Sequence, residues 1–284
     1  MPDTTPKPAR RNASGLARDV ELLDVLGSPE SLRADGLGVV RVAELTGRDK
    51  AVVSRSLATL AEAGFVERDP ATQAYRLGAR IYALAAHTRE ARLTSAASPT
   101  LRRIARETRE TASLNVLRGG HVLTVMSELS PHEFRATGWE GVTTSAWRTP
   151  SGRALLSDWD EISLRAWFEE HAAESPVIGR AHAGLLSSPF AVIDEPPTGP
   201  DQVRDYESLV AEITRIRERR YALSVEELER GIVAASTPIS DFSGAVVAAI
   251  NVSAPISRLG SDATRLGVYI ARVGAELSAA LGAP

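Results

Sequence analysis

Lys50, Ser54 and Arg55 lie within one and a half helical turns, with the small residues Ala51 and Ala58 around them. If this stretch is helical, all five point away from an apolar stripe of Val53, Leu57, Leu60 and Ala61, which recur at i, i+4, i+7 and i+8. Small side chains let a helix sink into a DNA major groove about 12 Å wide, while Arg and Ser reach base edges or phosphates. Alone, such a face is more often just a solvated helix surface. Downstream, Arg68, Thr72 and Arg76 surround a turn, where guanidinium and hydroxyl groups suit contact with a phosphate backbone.

The elements needed to present these groups follow from the same stretch. Val42, Ala43 and Leu45 place apolar groups on a short first helix, and Gly47 permits the tight turn that ends it. Asp49 suits the N-cap of the second helix, and Gly64 its C-terminal end. Phe65–Arg68 and Ala74–Gly78 then read as two strands joined by a turn at Asp69–Gln73. Helix, turn, longer helix and hairpin together spell a winged helix-turn-helix and imply double-stranded DNA as partner.

At 284 residues the chain has room for two domains, each with its own core. No apolar run reaches the roughly 18 residues of a membrane-spanning helix. The start, MPDTTPKPARRNASG, is polar and proline-rich, unlike a secretory signal, and is expected to be a disordered arm. With no cysteine there is no disulfide, thiolate nucleophile or thiolate metal site, which agrees with a cytoplasmic location. Residues 1–92 carry 14 Lys and Arg against 12 Asp and Glu, whereas residues 93–284 carry 19 against 24. A slightly basic first part and an acidic second part fit a DNA reader joined to a companion domain.

Periodicity predicts a helix from Ser14 to about Leu26 with Leu16, Val20, Leu23 and Leu26 inward and Leu22 broadening that face, then a loop over 27–38. After the winged segment a helix is expected over 79–92, and another opening at Ser98-Pro99. Ala112–Leu117 and Val122–Ser127 read as a hairpin around Gly119-Gly120, with a further strand at Glu133–Thr137. Helices are expected from Thr149 or Ser151 to Leu156, over Glu161–His171, and over Gln202–Arg220 with Leu209, Ile213 and Ile216 spaced as one face. Residues 173–200 read as a long loop. Strands at Ile232–Ile239 and Ala245–Ser253 precede a final helix over 257–281. Helices flanking an antiparallel meander define an α+β domain.

Enzyme chemistry finds little support. There is no Gly-x-Ser-x-Gly elbow and no phosphate loop ending in Lys-Ser/Thr. The five histidines lack metal-ligand spacing; Glu128 and His132 come nearest and read as a surface pair. Glu226-Glu227 lies in an acidic run and is expected to be solvated. No catalytic residue, metal or cofactor is assigned.

From Ser14 to about residue 280 the chain resembles the IclR family of bacterial transcriptional regulators. The matching stretches are VAELTGRDKAVVSRSLATLAEAGFVERDPATQAYRLGARIYALA, TPSGRALL, IRERRYALSVEELERGIVAASTPI and AAINVSAPISRL. The resemblance implies an arm over 1–13, a winged helix-turn-helix over 14–78, a dimerising linker helix over 79–95 and a GAF-like effector-binding domain over 96–284. It further implies a homodimer or homotetramer, acting as repressor or activator, with a small-molecule effector, carboxylate or aromatic. Carried over by motif, the effector positions are Pro150, Ser151, Ser224, Ala234, Asn251 and Ser253. Ser151, Asn251 and Ser253 offer donors, and backbone N–H groups at the start of the 151–156 helix favour a carboxylate. Pro150 departs from the small residues usual there and removes one donor, while Trp147 just upstream could shape or fill the pocket. The competing reading is a companion domain that binds no ligand and serves only as a dimerisation or partner-binding platform.

Overall fold

The computed structural model describes residues 15–133, 140–141, 143–173, 177–178, 202–227, 230–259 and 262–284. The expected arm, Ser14, most of the Glu133–Thr137 strand and most of the 173–200 loop lie outside the described residues. The chain divides into two compact units, Met1–Thr88 and Arg89–Pro284.

The first unit comprises α1 (Gly15–Leu26), α2 (Pro29–Arg33), α3 (Val39–Thr46), α4 (Lys50–Glu62), β1 (Val66–Arg68), β2 (Tyr75–Leu77) and α5 (Ala79–Ala85). Leu22, Val42, Val53 and Leu57 are wholly buried together with Leu26, Leu37, Val66 and Tyr75. Each such side chain contributes about 1.5–3 kcal/mol. The face of α1 is only partly the expected one: Leu22 and Leu26 are buried, but Val25 joins them, and Leu16 and Val20 are exposed. Leu45 of α3 is likewise exposed. The 27–38 segment is not simply a loop, because Ser28 caps α2 and Leu37 bridges Tyr75 of β2.

Gly47 adopts the left-handed conformation (φ 63°) that ends α3. The Asp49 carboxylate then accepts the N–H groups of Ala51 and Val52 at 2.8 and 3.2 Å, which starts α4. At the other end the N–H groups of Gly64 and Phe65 return to the carbonyls of Ala61 and Leu60. That is a Schellman closure, with Gly64 at φ 76°. The wing pairs Val66 with Leu77, Glu67 with Arg76 and Arg68 with Tyr75, antiparallel.

The linker breaks elsewhere than expected. α5 ends at Ala85, and the Thr88 hydroxyl donates to the Ala85 carbonyl, an acceptor that a continuing helix would use. α6 (Arg89–Thr108) opens the second unit and continues through Pro99. One missing backbone N–H is tolerated there because Leu93, Ala97, Leu101, Ile104 and Ala105 bury one side of the helix.

The second unit continues with β3 (Thr111–Arg118), β4 (His121–Glu128), β5 (Thr143–Ser145), α7 (Pro150–Leu155), α8 (Glu161–His171), β6 (Val177–Ile178) and α9 (Tyr206–Arg219). It ends with β7 (Ala222–Val225), β8 (Ile232–Ser240), β9 (Val246–Pro255), α10 (Ile256–Leu259) and α11 (Ala263–Ala280). The strands form one antiparallel sheet in the order β6-β5-β4-β3-β9-β8-β7. Alternate residues of β3 and β9, among them Leu114, Val116, Ile250 and Val252, pack with α6 and α11. The opposite face meets α7, with Trp147, Leu156, Leu209 and Ile213 completing a second core. Strands β5, β6 and β7 are additions to the expected meander, β6 falling within the expected 173–200 loop. α9 starts at Tyr206 rather than Gln202 because Asp205 and Ser208 form a reciprocal capping box.

Candidate nucleic-acid interface and effector site

On α4, Lys50, Ala51, Arg55 and Ala58 are exposed, and Ser54 is half-buried. Among the described residues no acceptor pairs with the Arg55 guanidinium, so it is available to a ligand. The helix is set on a firm base. Arg48, in the turn before it, donates to the Arg18 carbonyl at 2.8 Å and faces Asp19 across 3.7 Å.

The wing residues are more engaged. Arg68 stacks over the Tyr75 ring at 5.5 Å. Thr72 donates both its N–H and its hydroxyl to the Asp69 carboxylate, at 2.7 and 3.0 Å. These bonds, with the Ala71 N–H, hold the Asp69 carboxyl below its ordinary value. Arg76 lies between Asp35 at 3.4 Å and Glu67 at 3.5 Å. Both pairs are exposed, so exchanging them for a phosphate costs little.

Across the second unit, sheet register collects the other candidates. Ser224, Ala234, Ser253 and Thr111 occupy one row, and Ala222, Ser236, Asn251 and Ser113 the next. A continuous hydrogen-bond chain begins on α7. Ser151 Oγ lies 3.0 Å from Ser236 Oγ, Ser236 donates to Asn251 Oδ1 at 2.8 Å, and Asn251 Nδ2 donates to Ser253 Oγ at 2.9 Å. Beside it, Thr124 donates to Asn115 Oδ1 at 2.9 Å, and Asn115 Nδ2 to Ser113 Oγ at 3.1 Å. Ser113, Asn115, Thr124, Ser224 and Ser236 are buried, whereas Ala234, Asn251 and Ser253 keep partial exposure. The array is therefore open at its Ala234–Asn251–Ser253 end.

The start of α7 does not offer the expected row of free donors. Pro150 has none, and Gly152 N–H is taken by the Thr149 hydroxyl at 3.2 Å. Gly152 is required sterically, since a Cβ there would lie 2.0 Å from the Ala146 carbonyl oxygen. Arg153 is 1% exposed, donates to the Trp147 carbonyl at 2.9 Å, and pairs with Glu227. Glu227 is therefore not solvated as its acidic run suggested: its side chain keeps 10% exposure. Glu226 accepts the Gly231 N–H. Trp147 is core rather than pocket filler, 3% exposed and edge-on to Phe168. Glu128 pairs with Arg102 at the end of β4 and shares no helix with His132. Among the described residues no group of three or more His, Cys, Asp and Glu could hold a metal.

Two family models match this chain. The IclR helix-turn-helix domain covers residues 15–70, and the bacterial transcriptional regulator IclR C-terminal model covers 85–177 and 193–278. The chain belongs to the IclR family. It is a DNA-binding transcriptional regulator of α+β fold, from a family that is not one of enzymes. Among curated relatives, the transcriptional regulator BhcR of Paracoccus denitrificans is 31% identical over 87% of this chain and 79% of its own length. The glycerol operon regulatory protein of Streptomyces griseus is 28% identical over 96% of this chain and 98% of its own. Among solved structures, an IclR homolog of Microbacterium hydrocarbonoxydans complexed with 4-hydroxybenzoate superposes with TM-score 0.70 at 19% identity. It matches 94% of this regulator and 100% of that chain, and shows the shared fold. Among the described residues no helix is long and apolar enough to cross a membrane.

Ser236, Ser113, Asn115 and Thr124 were absent from the motif-based set. A period-two reading of β8 places Ser236 on the face of Ala234, and so could have found it. No local signal links β3 and β4 to the same array, because that link depends on which strand lies beside β9.

Proposed function

We propose that this IclR-family regulator reads operator DNA with α4 and the wing and adjusts that binding to a small polar effector held on the sheet face under α7. Lys50, Ala51, Ser54 and Arg55 enter the major groove; Arg68, Thr72 and Arg76 meet phosphates. The effector lies along Ser151, Ser224, Ala234, Asn251 and Ser253, with Pro150 at the start of the covering helix. The observation that carries the sensor reading is the hydrogen-bond chain Ser151–Ser236–Asn251–Ser253. It couples a helix to two strands through hydroxyl and amide groups that a ligand can replace. The 4-hydroxybenzoate held by the Microbacterium relative supplies a first class of compound to try.

The chain acts as a homodimer or tetramer on paired half-sites, as repressor or activator. Support comes from α5, which buries no residue in its own unit and exposes Tyr82 and Leu84. A second reading, a ligand-free platform, draws on the same array: its polar groups already satisfy one another. A thermal-shift screen of the full-length protein against hydroxylated, carboxylic and aromatic metabolites separates the two, since a bound ligand raises Tm as its concentration passes Kd. A hit that also changes DNA affinity establishes the sensor; a silent screen leaves the platform.

A further inference from the structure

The first turn of α4 carries an apolar residue that the core covers only in part. Val52 is 38% exposed, while its neighbour Val53 is wholly buried. A β-branched side chain is a poor helix former, and an isopropyl group left 38% exposed adds less to the core than a buried one. Ala51 beside it is exposed too. The turn therefore presents methyl groups where a solvated helix face would carry polar ones. Both residues are held firmly, because the Asp49 carboxylate accepts their N–H groups.

Arg55 follows Val52 by three residues and Ala51 by four, so the three share one side of the helix. At 1.5 Å per residue, Val52 and Arg55 are about 4.5 Å apart along the axis, between one and two base-pair steps. In the major groove thymine alone presents a methyl group, and guanine presents the acceptor pair that suits a guanidinium. Residues near the N-terminus of a recognition helix are the ones that meet base edges.

We infer that Val52 is a specificity-determining residue that, with Ala51, packs on a thymine C5-methyl one or two base pairs from a guanine bound by Arg55. The inference rests on the DNA-reading face proposed above.

The test uses the full-length protein and sites selected from a random duplex library. Each thymine of the selected half-site is replaced singly by deoxyuracil, which deletes only the methyl group, and affinity is read by fluorescence anisotropy at fixed salt. One replacement should weaken the wild type about four-fold, the equivalent of about 0.8 kcal/mol for a buried methyl. The same replacement should weaken Val52→Ala clearly less, because only Ala51 and a shortened side chain remain beside the methyl. Val52→Ala removes a partly covered group and improves helix propensity, so its Tm should lie within a few degrees of the wild type. Equal penalties in both proteins, or no penalty at any thymine, overturn the inference. Arg55→Ala keeps the two readings distinguishable. If it relaxes a guanine preference while every deoxyuracil is silent, only the Val52 assignment falls. If selection returns no sequence preference at all, base reading by α4 falls with it.

Discussion

Removing the charge of Glu227 while keeping its shape isolates the buried ion pair behind α7. Arg153 is 1% exposed and the Glu227 side chain 10%, so Glu227→Gln leaves a guanidinium in a dry site without its counter-ion. Breaking one side of a buried pair costs about 3–5 kcal/mol. The residual exposure of Glu227, and the hydrogen bond a Gln can still accept, place the expected loss near the lower end, about 3 kcal/mol. For a unit of this size each kcal/mol shifts Tm by about 2–4 °C, which predicts a drop of about 6–12 °C. All four tryptophans lie beyond residue 89, so tryptophan fluorescence follows this unit alone during thermal unfolding. The double variant Arg153→Met/Glu227→Gln should recover most of the loss, because an apolar side chain of similar length needs no counter-ion. A drop below about 2 °C for Glu227→Gln, or a double variant losing as much as the single variants combined, would refute the reasoning.

Other perturbations test other parts. Asp49→Ala removes the cap of α4 and should cost about 1 kcal/mol; circular dichroism melting of the variant reads it, and an unchanged Tm would deny the cap its role. Arg76→Ala should weaken binding to all sequences and flatten the log–log salt slope by about one unit. An unchanged slope would remove Arg76 from the phosphate set and leave it to Asp35 and Glu67. Asn251→Leu cuts the hydrogen-bond chain on β9 and should abolish the response to any effector found by screening, with DNA affinity unaltered. The Tyr269 phenol is pushed up to about 12, first by burial and then by its hydrogen bond to Glu107. The folded state favours the neutral phenol, so this stabilisation is complete below about pH 10 and lost as pH rises towards about 12. Ultraviolet titration should show a late-ionising component that Tyr269→Phe diminishes.

Local signals with a local cause were legible. Gly47, Asp49 and Gly64 each act on backbone groups within a few residues, so residue type alone located the ends of α3 and α4. Strong alternation placed β3, β4, β8 and β9, and period 3.6 placed the buried Leu209, Ile213 and Ile216 of α9. The first turns of α1 are ambiguous in sequence because Leu16 and Val20 fit a stripe through Leu26 as well as Val25 fits one through Leu22. Only the positions of α3, α4 and β2 choose between them.

By itself, then, the sequence determined a winged helix-turn-helix, an α+β companion domain and the motif positions Ser151, Asn251 and Ser253, because each rests on short-range periodicity, capping or resemblance. Tertiary structure decided the rest. Strand order brought Ser113, Asn115 and Thr124 beside Asn251, and packing of α7 buried Arg153 against Glu227. The same holds in α4, where burial of Val53 and Leu57 left Val52 outward. Which polar groups meet, and which apolar group is left facing outward, depends on partners far away in the chain, and no local pattern carries that information.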